Sequence, residues 1–562
     1  MTVQPNSALM ERLRAIVGKR HVLVGEAHTK TFSTGYRYGS GPVAAVVRPG
    51  SPREQYEAFR TCVAAGVIVI VQAANTGLTG GSTPSGRYDR PVVIINTLRL
   101  DRIHLLRGGE QVVCLAGATL HRLEALLAPL GREPHSVIGS SCIGASVVGG
   151  ICNNSGGALV RRGPAYTEAA LYARVTEGGR VELVNHLGLT LPDEALLGAL
   201  GSGEITDADL HDDGRAASAS GYDARVSDVE AASPARFNAD PTHLFEASGS
   251  AGKVMVLAVR LDTFPKDERT ATFYVGTNDP AELDRLRRRL LTELPELPVS
   301  GEYIHREAFD VAARYGKDAF LAIQFLGTGR LPALFALKNR VDRIASRIAV
   351  LPANLADRLM QGASRLFPQH LPRRMLLWRD RYEHHLLVKV ANSAIEPARS
   401  LLGGMFPSAT GDVFECSAEE AQKAFLHRFA VAGAAIRYRA IHGSAVGDII
   451  ALDIALRRND RDWLELLPPE IDRLIVKKLY YGHYLCHVFH QDYVLAPVVD
   501  PEALEHRMWE LLDARGAEYP AEHNVGQLYP AKPALVRHYR TLDPTNTLNP
   551  GIGKTSRQHC WH

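Results

Sequence analysis

The chain lacks a CxxC pair, an apolar run long enough to span a membrane, and any large excess of charge. Its seven cysteines are odd in number and widely spaced, which argues against a disulfide framework and against a cysteine zinc site. The longest apolar run, residues 62–74, falls short of the ~18 residues that a spanning helix needs. Residues 1–20 also lack the apolar core and cleavage site of a secretory signal. We therefore expect a protein of the reducing cytoplasm.

The net charge is only +3, so the chain has no global basic field and we expect no nucleic-acid partner. The sequence does contain a local basic patch. Residues 330–381 carry eleven Lys and Arg against three Asp, with apolar residues between them. Helices with an apolar face flanked by cations are typical of proteins that bind an anionic phospholipid surface. The alternative interpretation is a solvated charged surface between core helices.

Short Val- and Ile-rich runs alternate with helical stretches over residues 43–261, which predicts a mixed arrangement of strands and helices. Two segments rich in Gly, Ser, Thr and Asn interrupt this pattern, at residues 75–86 and 139–157. Such loops can turn backbone N–H groups toward a phosphate and let a flat cofactor approach the backbone. The alternative is that both are tight turns. The acidic residues 193–230 are interpreted as a solvated excursion.

Three histidines, His483, His487 and His490, lie close together and are followed by the pair Glu522 and His523. In an extended strand His483 and His487 share a face while His490 lies on the other, unless a bulge or turn brings His483 and His490 together. Two histidines and a glutamate can hold a divalent metal, while another histidine acts as a base. The alternative is a chance cluster, because the chain contains 22 histidines.

Five segments together resemble one known family. They are AANTGLTGGSTP at residues 73–84, the stretch 132–157, RRGPAYTE at 161–168, ALDIALRRND at 451–460 and YPAEHNVG at 519–526. They resemble the bacterial quinone-dependent D-lactate dehydrogenases, which are FAD proteins of the vanillyl-alcohol oxidase type. The resemblance implies an α+β fold with a two-part FAD-binding domain of the vanillyl-alcohol oxidase / p-cresol methylhydroxylase type, an α+β cap domain and a basic helical membrane-binding insertion.

The resemblance also implies where these parts begin and end. The FAD-binding domain would comprise residues 1–263 and 516–562. The cap domain would comprise residues 264–325 and 379–515. The membrane-binding insertion would comprise residues 326–378.

The cofactor that the resemblance implies is non-covalent FAD, held by the two glycine-rich segments and a late strand. A pyrophosphate needs N–H donors and an isoalloxazine needs small neighbours, so the physical interpretation of these segments agrees. Carried over residue by residue, the flavin contacts are Ala73, Ala74, Asn75, Thr76, Gly77, Gly81, Ser82, Gly139, Ser146, Gly156 and Val256.

The catalytic residues follow from the same resemblance. His523 is predicted to take the 2-hydroxyl proton as hydride passes from C2 to flavin N5. Three cations resemble the family region that binds the substrate carboxylate, a task suited to bidentate arginine. They are Arg379, Arg381 and Lys389.

The wider D-2-hydroxyacid dehydrogenase family binds a metal such as Zn²⁺ at positions that match His483, His490 and Glu522. The spacing of the two histidines is preserved in this chain. Residues 484–489 are apolar where that family has a polar stretch, which argues against a metal in this branch.

The function that we predict is oxidation of D-lactate to pyruvate, with electrons passed to a membrane quinone. The protein would act as a peripheral protein on the cytoplasmic side of the bacterial inner membrane. The nearest alternative is the same chemistry on another D-2-hydroxy acid, such as 2-hydroxyglutarate, which needs a further cation for its distal carboxylate. Two less favoured alternatives are a metal-dependent hydrolase and a non-enzymatic nucleotide-binding scaffold at the membrane.

Overall fold

The structure is a computed structural model that describes residues 7–35, 37–136, 144–326, 355–523 and 525–562. Its elements form three sheets, two in the N-terminal half of the chain and one in the C-terminal half.

The first sheet is small and is buried on both faces. Its strands are β1 (Val22–Leu23), β2 (Ala45–Val47), β3 (Ile68–Gln72) and β4 (Val92–Asn96). Their order is β1-β2-β4-β3, with β2, β4 and β3 parallel. Every residue of β4 is buried, which explains why this strand is a continuous apolar run rather than an alternating one. The helices around this sheet are α1 (Ser7–Val17), α2 (Glu26–Ser33) and α3 (Pro52–Ala64).

The second sheet is antiparallel. Its strands are β5 (Ile103–Leu106), β6 (Gln111–Leu115), β7 (Arg132–Pro134), β8 (Ala170–Val175), β9 (Val181–Asn185) and β10 (Met255–Pro265). Their order is β5-β6-β10-β8-β9, and β7 pairs with a further part of the long strand β10. The helices in this part of the chain are α4 (Leu120–Leu127), α5 (Val147–Cys152), α6 (Asp193–Ser202) and α7 (Tyr222–Ser227).

The third sheet has seven antiparallel strands. They are β11 (Thr270–Thr277), β12 (Ser300–His305), β13 (His384–Ala391), β14 (Gly411–Glu415), β15 (Ile449–Ala455), β16 (Ile475–His483) and β17 (Val488–Leu495). Their order is β14-β11-β13-β12-β16-β17-β15. The helices here are α8 (Pro280–Thr292), α9 (Arg306–Tyr315), α10 (Lys317–Leu326), α11 (Leu355–Ser364), α12 (Arg373–Arg381), α13 (Ile395–Met405), α14 (Ala418–Phe429), α15 (Val431–His442), α16 (Pro469–Asp472), α17 (Pro501–Ala514) and α18 (Pro533–Leu542).

The interpretation of residues 193–230 as a solvated excursion is wrong for its first third. Leu196, Leu197 and Leu200 of α6 are buried in the same core as Phe59 of α3. Asp193 and Glu194 at the start of α6 favour the helix N-terminus. The aspartates that suggested solvation follow the helix, and Asp207, Asp212 and Asp213 among them are exposed.

The C-terminal segment returns to the first sheet. The backbone N–H of Val69 donates to the Thr547 carbonyl at 3.0 Å, and the N–H of Asn549 donates to the Val69 carbonyl at 2.9 Å. The Asn549 side-chain amide donates to the carbonyls of Gly81 and Ala251, each at 2.8 Å. The end of the chain therefore holds the first glycine-rich segment in place.

Candidate active site

The first glycine-rich loop follows β3 directly, and its two ends are joined by one buried side chain. The amide of Gln72 donates to the carbonyls of Phe32 and Ser82, each at 2.8 Å. The Ser82 hydroxyl donates to the Asn75 side chain at 3.1 Å. A Cβ placed on Gly77 would have no neighbour within 4 Å. The loop is thus held at its base and leaves open space at its tip, as a ligand would require.

The second loop leads into α5, where Ser146 accepts a hydrogen bond from the Gly149 N–H at 3.1 Å. Val256 on β10 is buried in the same core as α5. The predicted contact Gly139 lies outside the described residues. A small cavity of about 20 Å³ lies beside this loop, and its lining includes Leu123, Pro134, His135, Gly150, Ile151 and Ser155.

Gly156 at the end of this loop lies against a buried ion pair. A Cβ on Gly156 would be 2.6 Å from Glu522 Oε1 and 3.1 Å from Arg236 Cζ, so no larger residue fits without displacing them. Arg236 is 1% exposed, forms the ion pair with Glu522 and donates to the Gly157 carbonyl at 2.7 Å. Gly156, a predicted flavin contact, therefore lies against Glu522, a predicted metal ligand.

The histidine-rich segment forms a hairpin, so the extended-strand pattern does not apply. Strand β16 ends at His483, a short 3-10 turn follows over Tyr484–Cys486, and His487 has a φ of 54° before β17 begins. This turn puts His483 and His490 on one face of the sheet, with ring centroids 5.1 Å apart. His487 points elsewhere, because its Nδ1 faces the Arg457 carbonyl at 3.0 Å.

Each of the two histidines is oriented by a buried carboxylate on the adjacent strand. His483 Nδ1 lies 2.6 Å from Glu302 Oε1, and His490 Nδ1 lies 3.2 Å from Asp453 Oδ1. The Nε2 atoms are left to face Glu522, whose Oε2 is 3.5 Å from Nε2 of His483. One ligand atom from each of His483, His490 and Glu522 lies within 4.8 Å of the others. A carboxylate on Nδ1 is the usual outer partner of a metal-binding histidine.

The electrostatics of the cluster favour ionised carboxylates. Burial raises the pKa of the Glu302 carboxyl, but the charges of His483 and Arg428 prevail and lower it to about 2. Arg428 Nη2 lies 3.0 Å from Glu302 Oε2. Burial also raises the pKa of the Asp453 carboxyl, but His523 and His490 together lower it well below its usual range.

His523 shares the Asp453 carboxylate. Its Nδ1 lies 3.1 Å from Asp453 Oδ2, its backbone N–H donates to the same oxygen at 3.1 Å, and its carbonyl accepts from the Asn238 amide. Burial lowers the pKa of His523, but the charge of Asp453 and its hydrogen bond prevail and raise the pKa. With Nδ1 held by Asp453, Nε2 is the atom available to accept a proton.

The three predicted cations lie on two elements: Arg379 and Arg381 on helix α12, and Lys389 on strand β13. Arg379 forms a bidentate pair with Asp310 at 2.6 and 2.5 Å, and Arg381 lies 3.6 Å from Asp412. Within the described ranges, no hydrogen bond or ion pair joins either arginine to the histidine cluster. On neighbouring strands, Lys389 is paired with Ser300, and Leu387 is paired with Glu302. Side chains two residues apart in a strand lie on the same face of the sheet, so Lys389 and Glu302 share a face.

Four residues of the cluster are absent from our sequence-based prediction. They are Arg236, Glu302, Arg428 and Asp453. Asp453 lies among apolar residues in the ALDIALRRND segment, and a carboxylate within such a strand could have been recognised as a candidate site residue. No local pattern marks the other three, since each comes from a different distant element.

Two family models match the chain. One, described as "D-lactate dehydrogenase, membrane binding", matches residues 272–561. The other, described as "FAD binding domain", matches residues 43–182. The FAD-binding model spans both glycine-rich segments, and the D-lactate dehydrogenase model spans His483, His490, Glu522 and His523.

Curated relatives are similar over the full length. Quinone-dependent D-lactate dehydrogenase of Escherichia coli (strain K12) is 55% identical over 564 residues, which cover 100% of this chain and 99% of that protein. The protein of the same name from Haemophilus influenzae is 55% identical over 98% of this chain and 99% of its own length. That of Corynebacterium glutamicum is 46% identical over 100% and 99%.

Solved structures share the fold at low sequence identity. p-Cresol methylhydroxylase with substrate bound has a TM-score of 0.58 at 12% identity and covers 98% of this chain and 96% of its own. Alkyldihydroxyacetonephosphate synthase has a TM-score of 0.60 at 10% identity, covering 98% and 86%. The predicted α+β fold of the vanillyl-alcohol oxidase / p-cresol methylhydroxylase type is confirmed.

The Arg236–Glu522 pair yields a stability prediction. Arg236→Met should lower the free energy of unfolding by about 3–5 kcal/mol, because it leaves the Glu522 carboxylate buried without its cation. The measurement is the thermal unfolding midpoint without added metal. The double variant Arg236→Met/Glu522→Met should recover most of the loss, since no buried charge remains.

The matched control is Arg53→Met, which breaks the exposed pair with Glu194 and should cost about 0–1 kcal/mol. A single Arg236→Met variant as stable as this control would contradict the prediction.

Proposed function

This chain belongs to the family of quinone-dependent D-lactate dehydrogenases, and from that premise we propose how its residues perform the reaction. The protein oxidises D-lactate to pyruvate with FAD as cofactor and a quinone as electron acceptor. The observation that supports our mechanism is the contact of Gly156, on a flavin loop, with the cluster that contains His523 and Asp453. The hydrolase alternative leaves the match to an FAD-binding domain unexplained. The scaffold alternative leaves the contact of Gly156 with the histidine cluster unexplained.

The residues of the two loops fit FAD. The open space at Gly77 and the N–H groups of the held loop, residues 73–82, suit a pyrophosphate. We propose that Ser146, Gly156 and Val256 complete the contacts. When bound, FAD accepts the hydride from C2 of D-lactate and passes two electrons to the quinone.

His523 is the proposed general base. Its Nε2 accepts the proton of the 2-hydroxyl group as the C2 hydrogen leaves as hydride, so that pyruvate forms with its new carbonyl. Asp453 holds Nδ1 and stabilises the imidazolium that results. The same carboxylate accepts from the backbone N–H groups of Glu522 and His523, which limits rotation of the base.

We propose a divalent cation site at His483, His490 and Glu522. The orientation of both histidines by carboxylates at Nδ1 supports it, because this leaves the two Nε2 atoms and Glu522 facing one another. A cation such as Zn²⁺ would be held by these three residues and would polarise the substrate hydroxyl. The apolar residues 484–489 form the turn outside this cluster and do not obstruct it.

Lys389 is a proposed contributor to substrate binding from the face of Glu302. The Val160 N–H donates to the Val299 carbonyl at 3.0 Å, and the Val299 N–H donates to the Lys389 carbonyl at 2.8 Å. These hydrogen bonds bring the N-terminal part of the chain close to Lys389. The assignments of Arg379 and Arg381 stay predictions and have no contact to support them. Oxidation of 2-hydroxyglutarate would need one more cation at its distal carboxylate.

The base assignment predicts the effect of His523→Ala. Anaerobic D-lactate should bleach the flavin bands of the unaltered protein at 25 °C, and the variant should bind FAD but lose this reduction by roughly 10²–10⁴-fold in rate. Stopped-flow absorbance measures the rate, and dithionite should still reduce both proteins.

The control is His506→Ala, an exposed histidine on α17 whose loss should leave the rate unchanged. Normal reduction in the His523 variant would remove this residue from the mechanism. An unaltered protein with flavin that D-lactate does not reduce would refute the substrate.

The cation site predicts metal content. The purified protein should carry about one divalent ion per chain, and His490→Ala should lose it, because a three-ligand site rarely survives loss of one ligand. Elemental analysis after gel filtration measures the stoichiometry, with His243→Ala as the control. Equal and negligible metal in all three proteins would refute the site.

The membrane proposal concerns α10, α11, α12 and residues 365–372, which join α11 to α12. Of the predicted insertion, residues 327–354 lie outside the described part. In the remainder Leu366 is 87% exposed and Leu359 61%, and Phe325, just before the insertion, is 75% exposed. Arg358, Arg365 and Arg373 are exposed among them. No described helix is long and apolar enough to cross a membrane. We propose that this surface binds anionic phospholipid on the cytoplasmic side of the bacterial inner membrane.

This proposal predicts that Arg358→Glu/Arg365→Glu/Arg373→Glu weakens binding to phosphatidylglycerol vesicles. Each basic residue near an anionic surface contributes about 1 kcal/mol, so affinity should fall roughly 100-fold. Vesicle sedimentation measures binding, and reduction of a soluble dye should be retained. The control reverses three exposed arginines elsewhere, Arg12, Arg102 and Arg180. Equal loss in both triple variants would refute the assigned surface.

A further inference from the structure

Arg37 is an exposed cation in the short loop between α2 and β2. The loop closes on itself, because the Gly35 N–H donates to the Gly39 carbonyl at 2.8 Å and Thr34 forms a bridge with Ser40. No hydrogen bond or ion pair joins the Arg37 guanidinium to any residue of the described chain. Its five N–H donors are therefore available to a ligand.

This loop is seated on the first glycine-rich loop. The Asn75 amide donates to the Thr34 carbonyl at 2.9 Å. A Cβ on Gly80 would lie 2.7 Å from the Tyr38 carbonyl oxygen, so the two backbones are in direct contact. Because Tyr38 follows Arg37, the position of Arg37 is set by the loop that is predicted to hold FAD.

The segment that carries His523 is seated on the neighbouring residue of the same loop. The Gln527 N–H donates to the Thr79 carbonyl at 2.8 Å, and a Cβ on Gly526 would collide with that carbonyl. The segment with Arg37 thus contacts Gly80, and the segment with His523 contacts the neighbouring residue Thr79.

The charge of Arg37 acts on the interior of this site. Burial raises the pKa of the Tyr529 hydroxyl; Glu505 and Asp453 raise it further, and Arg37 opposes the rise. The Tyr529 hydroxyl donates to the Ala451 carbonyl at 3.1 Å, on the strand that carries Asp453. The charge of Arg37 thus acts on the same buried side chain as the carboxylate that holds the proposed base.

The other arginines at the cluster already have partners. Arg236 is paired with Glu522 and Arg428 with Glu302. A 2-hydroxy acid carries its carboxylate on the same carbon as its hydroxyl, so the cation that binds it must lie near the base. Bidentate hydrogen bonding to a carboxylate suits a guanidinium.

We propose that Arg37 binds the carboxylate of the D-2-hydroxy acid substrate beside His523. This inference rests on the proposed function and adds to it the residue that selects a substrate with a carboxylate at C1. It differs from our sequence-based assignment, which placed this role on Arg379, Arg381 or Lys389.

The test compares Arg37→Ala and Arg37→Lys with the unaltered holoenzyme. Loss of a charge-assisted hydrogen bond should raise the D-lactate concentration for half-maximal flavin reduction by roughly 10- to 100-fold, with a smaller rise for Arg37→Lys. Millimolar guanidinium should partly restore the Ala variant. A half-saturating concentration within twofold of the unaltered protein would overturn the proposal.

A second measurement separates substrate binding from a structural role. The uncharged D-lactamide, used as a competing ligand, should bind the Ala variant and the unaltered protein equally, and their unfolding midpoints should agree. If Arg37 served only to balance the buried Glu505 carboxyl, D-lactamide binding and the midpoint would fall together, and the proposal would be wrong. Arg12→Ala, an exposed arginine on α1, is the control. Failure of D-lactate to reduce the unaltered protein would instead refute the proposed function.

Discussion

One buried carboxylate, Asp453, is the interaction on which the geometry of the site depends. It holds His490 through one oxygen, and through the other it holds the ring of His523 and the backbone N–H groups of Glu522 and His523. A buried carboxylate with this many donors stays ionised, and its partners cannot rotate independently. The proposed base and the proposed cation site are therefore two parts of one hydrogen-bonded unit.

The same unit joins the halves of the molecule. Arg236 comes from the chain before β10 and Glu522 from the segment after the third sheet, and their buried pair lies against Gly156. A buried ion pair contributes little net stability, but it is costly to separate. It therefore suits a contact that holds the proposed flavin loop and the proposed base in a fixed relative position.

Local patterns predicted much of the fold because the residues that carry them act on their own neighbours. The apolar runs became β3 and β4, and Ser51 and Pro52 begin α3 as N-cap and first residue. The acidic stretch was misinterpreted because its exposed aspartates, which follow α6, mask the leucines that α6 buries. The turn at His487 could not be predicted from the sequence. His487 has a left-handed backbone conformation, with a φ of 54°, and nothing marks this position because the residue is not a glycine.

The sequence by itself determined the fold family, the two glycine-rich loops and the candidate residues His483, His490, Glu522 and His523, because these lie in short segments with their own chemical pattern. Only the tertiary structure decided which residues complete the site. Glu302, Arg428 and Arg236 reach it from separate elements, while Arg379 and Arg381 pair with acids elsewhere. The reason is that partners of a buried charge are chosen by strand register and domain contact, which bring together residues far apart in the chain.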